Sequence, residues 1–143
     1  EGKECSVDTI RDWHMSRGWD DIGYHYVIYA DGTINRGRDV DVIGAHTKGQ
    51  NKSSVGICYI GGLIGGKPSD TMTSHQELAF MELVFSLRSV FGWLPVNGHN
   101  KYSKKACPSF DVQEKYQFIN DDKVVNVLSR ILQAVVFGKN RKR

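Results

Sequence analysis

The pattern of apolar and polar positions divides the chain into helices and strands that alternate. Near the start, Val7, Ile10, Trp13 and His14 recur at helical spacing, with Ser6 as a candidate N-cap and Gly18 as a stop, so an amphipathic helix is predicted from about Val7 to Arg17. A run of β-formers from Tyr24 to Tyr29 meets Asp31-Gly32 and resumes at Thr33-Ile34-Asn35, which predicts two antiparallel strands joined by a tight turn. A Gly-, Lys- and Asn-rich loop from Gly44 to Lys52 follows. Val55 to Ile60 is then apolar on both faces, as expected of a central strand covered by two layers, and Gly61-Gly62 ends it. Residues Gly65 to Asp70 read as a turn-rich connection. Thr73-Ser74-His75-Gln76 fits a capping box, opening a long helix to about Phe91 that Gly92 stops. Its predicted buried face is Leu78, Met81, Leu83, Val84, Phe85, Leu87 and Phe91. Pro95-Val96 is a candidate short strand, Asn97 to Pro108 an irregular loop, and Asp111 the cap of a helix to about Phe118. A last helix spans Lys123 to Phe137. This order predicts an α/β fold, with a mixed central sheet flanked by helices on both faces of a single domain.

Composition narrows the class. The chain has 143 residues, of which 40% are hydrophobic and 24% charged, and that balance excludes a disordered or collagen-like chain. Tyr26 to Ala30 and Ala134 to Phe137 are the longest apolar stretches, far short of the ~18 residues of a membrane span. The 19 Lys+Arg against 16 Asp+Glu give a net charge of +3, partly in the basic tail Lys139, Arg141, Lys142 and Arg143. That excess is too small and too local to argue for a nucleic-acid partner, although it suits an anionic polymer. Cys5, Cys58 and Cys107 cannot all pair within the chain and show no Cys-x-x-Cys spacing, so no disulfide framework is expected. The chain opens on Glu1 without an initiator Met, and the true start is expected upstream.

Candidate chemistry gathers on one loop. His99, Lys105 and Cys107 lie within nine positions between Gly98 and Pro108. Imidazole and thiolate are both zinc ligands, and eight residues of loop suffice to fold two of them onto one ion. The Lys105 ammonium is placed to lower the thiol pKa or to stabilise a developing oxyanion; the plainer reading is a solvated side chain beside Lys104. Tyr24 opens a strand just after Gly23, where its phenol can reach a cleft and donate to a carbonyl oxygen, unless it packs with Tyr26 on one sheet face. His25 points to the opposite face and reads as a satisfied core histidine. His46, in a loop, reads as a groove-lining substrate contact, and His14 and His75 as structural or solvated.

Three strings carry a resemblance: "GYHYVIYADGTINRGR" from Gly23, "GAHTKGQNKSSVGICYIGG" from Gly44 and "GHNKYSKKACPSFD" from Gly98. In that order they resemble the zinc N-acetylmuramoyl-L-alanine amidases related to peptidoglycan recognition proteins, over nearly the whole span from Val7 to Ile119. The Lys-Ala-Cys-Pro-Ser-Phe-Asp ending of the third string is shared with the short amidase lysozymes of podophages. Animal recognition proteins typically read Cys-Pro-Gly there and carry a disulfide near the first helix, for which Cys5 has no partner nearby.

The resemblance implies an amidase-like fold, a Zn2+ cofactor, and hydrolysis of the amide between N-acetylmuramic acid and L-alanine of peptidoglycan. It further implies that His99 and Cys107 are zinc ligands, that Tyr24 and Lys105 assist catalysis, and that His46 contacts substrate. The third ligand in such proteins is a His on a strand before the first helix, and no His stands upstream of Ser6. That strand is therefore expected upstream of residue 1, and residues 1–143 alone are expected to bind little zinc. Its absence is also expected to leave an exposed sheet edge beside Tyr24 to Tyr29, in a protein that is monomeric when complete. Residues 120–143 are expected to form a C-terminal helical extension with a basic tail. The expected site of action is the cell wall, after release from the host cytoplasm. Two other roles go with the resemblance: a peptidoglycan-binding module without catalysis, and binding to phage RNA polymerase, as some phage amidases do.

Overall fold

The computed structural model describes residues 5–126. Ser6 caps helix α1 (Val7–Met15) as expected, its hydroxyl accepting from the Thr9 N–H at 3.1 Å. The helix ends two residues before Arg17, because the last turn tightens: the Arg17 and Gly18 amides donate three residues back, to His14 and Met15. The expected hairpin follows as strands β1 (Tyr26–Ile28) and β2 (Ile34–Arg36), antiparallel with Val27 opposite Asn35. Its turn is closed by the Thr33 amide donating to the Asp31 carboxylate at 2.9 Å, and Gly32 takes the left-handed φ of +88° that the turn requires.

Strand β3 (Ile57–Tyr59) runs parallel to β1, and the sheet order is β2-β1-β3. Among the described residues the central strand is therefore β1, and the expectation that Val55 to Ile60 is central is corrected for them. Apolarity on both faces of β3 reports cover from two layers: Cys58 and Ile60 pack into the core with α1, whereas Ile57 and Tyr59 pack into the core on the opposite face. Among the described residues the free edges lie along β2 and β3 and not beside β1, which is flanked on both sides. The connection after Gly61-Gly62 holds a small exposed hairpin, β4 (Leu63–Ile64) and β5 (Lys67–Pro68), where the sequence had suggested turns alone.

Helix α2 (Ser74–Phe91) starts with the full capping box: the Thr73 hydroxyl accepts from the Gln76 amide, and the Gln76 side chain accepts from the Thr73 amide. Its buried stripe is Gln76, Ala79, Leu83, Val84 and Leu87. Leu78, Phe85 and Phe91 are 71%, 41% and 48% exposed, so the predicted face was set too wide. At about 100° per residue, these three rotate off the line that meets β1. Gln76 is fully buried and donates from Nε2 to the carbonyls of Ile28 and Ile60 at 3.2 and 3.0 Å, tying the helix start to the ends of β1 and β3. Gln76→Leu, of similar volume, is expected to destabilise the chain by about 2–3 kcal/mol, because the Ile60 carbonyl and the Thr73 amide lose their partner while the Ile28 carbonyl still accepts from the Ile60 amide. Urea unfolding should show a lower midpoint at unchanged slope; an unchanged midpoint would remove the role assigned to this side chain.

Pro95-Val96 forms no ladder. The Asn120 side chain takes the place of a neighbouring strand, accepting from the Val96 amide at 2.7 Å and donating to its carbonyl at 2.8 Å. Asp111 caps as expected, but the helix it opens is two short ones, α3 (Val112–Lys115) and α4 (Gln117–Asn120), interrupted at Tyr116. Residues 122–126 are helical, and the remainder of the expected helix to Phe137 and the basic tail lie outside the described residues. Val7, Ile10, Ile22 and Val27 form the core on one side of the sheet and Ile28, Ala79, Leu83 and Leu87 that on the other, as an α/β fold with two covered faces requires. All three cysteines are free, and no described helix is long and apolar enough to cross a membrane.

Candidate active site

A cavity of about 340 Å³ opens along β3 and is lined by Tyr24, His46, His99 and Cys107 together with apolar side chains such as Ile57 and Leu87. Four of the five candidate residues thus line one cavity. The fifth, Lys105, does not line the cavity. Its charge nevertheless lowers the pKa of both His99 and Cys107, so its ammonium acts on the same region.

His99 sits at the start of a short 3-10 turn, His99–Lys101. Asn100 ties this turn to the Cys107 segment: its amide donates to the Cys107 carbonyl at 2.8 Å and its side chain to the Phe110 carbonyl at 3.0 Å. Burial, with help from Lys105, holds the His99 imidazole below its ordinary pKa, which keeps it neutral and able to ligate. Cys107 is open to solvent, yet the surrounding protein pushes its thiol pKa up, with Lys105 opposing. Cys58, in contrast, is pushed up to about 12 by burial and has the environment of an inert core thiol.

Tyr24 packs into the core with α1, while Tyr26 packs into the opposite one, so the two do not share a sheet face. The Tyr24 ring lies 5.6 Å from that of His14, which is itself buried and accepts from the Gly23 amide at 3.0 Å. Burial is the main cause that raises the Tyr24 pKa, and the phenol stays protonated as a donor. His25 is a satisfied core histidine. Its Nδ1 accepts from the Gly56 amide at 2.8 Å, which fixes the proton on Nε2, and that proton is donated to the Val42 carbonyl at 2.9 Å.

His46 is seated between two glycines: a Cβ at Gly44 would fall 2.6 Å from its ring, and one at Gly56 closer still. Asn51 holds its backbone by accepting from the His46 and Thr47 amides. The ring Nδ1 meets the Thr47 hydroxyl at 3.2 Å, and Nε2 is buried without a partner. Burial, then the neighbouring His25, lowers the His46 pKa to about 4. The imidazole is therefore neutral in the fold but protonates near pH 6.5 when unfolded, and its contribution to stability is complete above about 6.5 and drains away as the pH falls toward about 4. Melting temperatures measured across this window should fall with acidification, and His46→Asn should flatten the slope; an equal slope in the variant would contradict the assignment.

His99 and Cys107 have the right chemistry for zinc and line the same cavity, and they fit as two members of a ligand set. Among the described residues no group of three His, Cys, Asp or Glu side chains is close enough to hold a metal ion, so His46 does not complete the site. The sequence motifs did not reveal Asn100, Asn51 and the His25–Gly56 bond as supports of the site.

The family profile described as N-acetylmuramoyl-L-alanine amidase matches residues 3–110. The endolysin of Enterobacteria phage K11 is 41% identical over 111 residues, covering 77% of this chain and 74% of its own. Among solved structures, the endolysin amidase LysCS from Clostridium intestinale superposes with a TM-score of 0.72 at 28% identity, covering 82% of this chain and 76% of its own. The ectodomain complex of peptidoglycan recognition proteins LCa and LCx bound to tracheal cytotoxin gives 0.65 at 31% identity, covering 78% and 67%.

Proposed function

The chain belongs to the N-acetylmuramoyl-L-alanine amidase family, and from that premise we propose that it hydrolyses the amide between N-acetylmuramic acid and L-alanine in peptidoglycan, as a zinc-dependent lytic enzyme of the endolysin type. The observation that carries the reading is the one cavity that Tyr24, His99 and Cys107 line, with the Lys105 charge acting on both His99 and Cys107. His99 and Cys107 would hold the metal. When bound, zinc supplies a Lewis acid that polarises the scissile carbonyl and makes water nucleophilic near neutral pH.

The remaining work falls to the chain itself. The Tyr24 hydroxyl makes no hydrogen bond among the described residues and is free to donate to the carbonyl oxygen as negative charge develops there. The Lys105 ammonium, whose charge is felt at His99 and Cys107, adds to that stabilisation. His46, held neutral and aligned by Gly44, Gly56 and Asn51, contacts the muropeptide. The substrate lies in the cell wall, reached after release from the host cytoplasm.

The third ligand in this reading is a histidine from outside the described residues, on an extended strand that joins the free edge of β3 where the cavity runs past Ile57 and Tyr59. Residues 1–143 alone are then expected to hold well under one zinc per chain, whereas a chain bearing that strand holds one and loses hydrolysis on chelation. Metal analysis decides the point: one tightly held zinc in residues 1–143 would place the whole ligand set inside them and contradict the reading. The lack of a three-donor group among the described residues also favours a second reading, a module that binds peptidoglycan without cutting it. It predicts pelleting with peptidoglycan and no hydrolysis even with zinc bound.

A further inference from the structure

Cys107 has a support that comes from the sheet and not from its own loop. The Tyr59 hydroxyl, at the end of β3, donates to the carbonyl of Pro108 at 2.8 Å, across 49 positions of sequence. The reach is built into the turn that follows: a Cβ at Gly61 would fall 2.8 Å from the Tyr59 ring, so this glycine leaves the notch in which the phenol lies. The ring also lies 6.1 Å from that of Phe110, and it lines the cavity shared by His99 and Cys107.

From this geometry we propose that Tyr59 is a positioning residue for Cys107: by fixing the Pro108 carbonyl it sets the direction of the neighbouring thiol toward the cavity. The bond complements that of the Asn100 amide to the Cys107 carbonyl, so the segment is held from two sides, by the sheet through Tyr59 and by the His99 turn through Asn100. A ligand whose backbone is pinned loses less freedom on binding metal, and outer partners of this kind typically change metal affinity by about 10–100-fold. The proposal rests on the reading of Cys107 as a metal ligand, and the test separates the two.

Cobalt(II) is titrated into the full chain, with free imidazole supplied as a third donor, while the thiolate-to-cobalt charge-transfer absorption is followed. Four proteins are compared: wild type, Tyr59→Phe, Cys107→Ser and Tyr29→Phe. Tyr29 serves as control because its hydroxyl accepts from the Val7 amide at 2.9 Å, a structural bond on the opposite face of the sheet. Tyr59→Phe keeps the ring and removes only the hydroxyl. It is expected to weaken cobalt binding about tenfold while lowering the melting temperature of the metal-free chain no more than Tyr29→Phe does. Tyr29→Phe should leave the titration unchanged. Equal cobalt affinity and an equal band in wild type and Tyr59→Phe would overturn the positioning role while leaving Cys107 a ligand. A wild-type spectrum no different from that of Cys107→Ser would overturn the ligand reading itself, and the role of Tyr59 with it.

Discussion

Replacing Cys107 by serine is expected to abolish hydrolysis and to remove most zinc binding, the largest loss from any single substitution in the site. Serine keeps the size of the side chain and the backbone, so the Asn100 and Tyr59 bonds to this segment survive. What changes is the donor: a hydroxyl stays protonated near neutral pH and is a far poorer zinc ligand than a thiolate. Cys107 is solvent-exposed, so little packing is lost and the metal-free fold should melt as before. Metal analysis beside an activity assay checks this. Full activity in a zinc-stripped Cys107→Ser protein would end the metal mechanism.

The second large effect belongs to Tyr24 and Lys105. Lys105→Ala and Tyr24→Phe are each expected to lower kcat about 10²–10³-fold in the zinc-loaded protein, the usual cost of removing one oxyanion donor. KM and zinc content should change little, because both groups act on charge that develops in the transition state. Neither substitution should destabilise the fold. Lys105 lies outside the cavity wall, and the Tyr24 hydroxyl bonds to nothing among the described residues. Zinc lost from either variant would mean that the residue holds the metal, and unchanged turnover would mean that it does not touch the reaction.

The local elements were legible because their causes are local. Ser6, Thr73 with Gln76, and Asp111 cap the helices they were expected to cap, and Asp31-Gly32 makes the hairpin turn. Strand order was not legible. An apolar run on both faces says that two layers cover β3 but is silent on what lies at its edges, and β1 turned out to be the central strand. Leu78 and Phe85 belong to a broadly apolar helix whose contact stripe is set by where Gln76 meets β1 and β3, which no periodicity within the helix reveals. The split of the last expected helix at Tyr116 and the Asn120 bonds that keep Pro95-Val96 out of the sheet are likewise tertiary.

The same division holds at the site. Motif spacing singled out Tyr24, His46, His99 and Cys107, and the fold brings all four to one cavity. The groups that aim them were hidden, since each acts through a partner distant in sequence. His25 reaches Gly56 across 31 positions and Tyr59 reaches Pro108 across 49. A histidine or tyrosine in a strand carries no mark of such a partner.

If the zinc-loaded protein cuts the bond between N-acetylmuramic acid and L-alanine, the products formed on purified peptidoglycan will show it. New amino-terminal L-alanine should appear with time, no new reducing sugar ends should accompany it, and a chelator should stop its release. New reducing ends without free alanine termini would identify cleavage of the glycan strand, and peptidoglycan that is bound but yields neither would identify a binding module; either result contradicts the account.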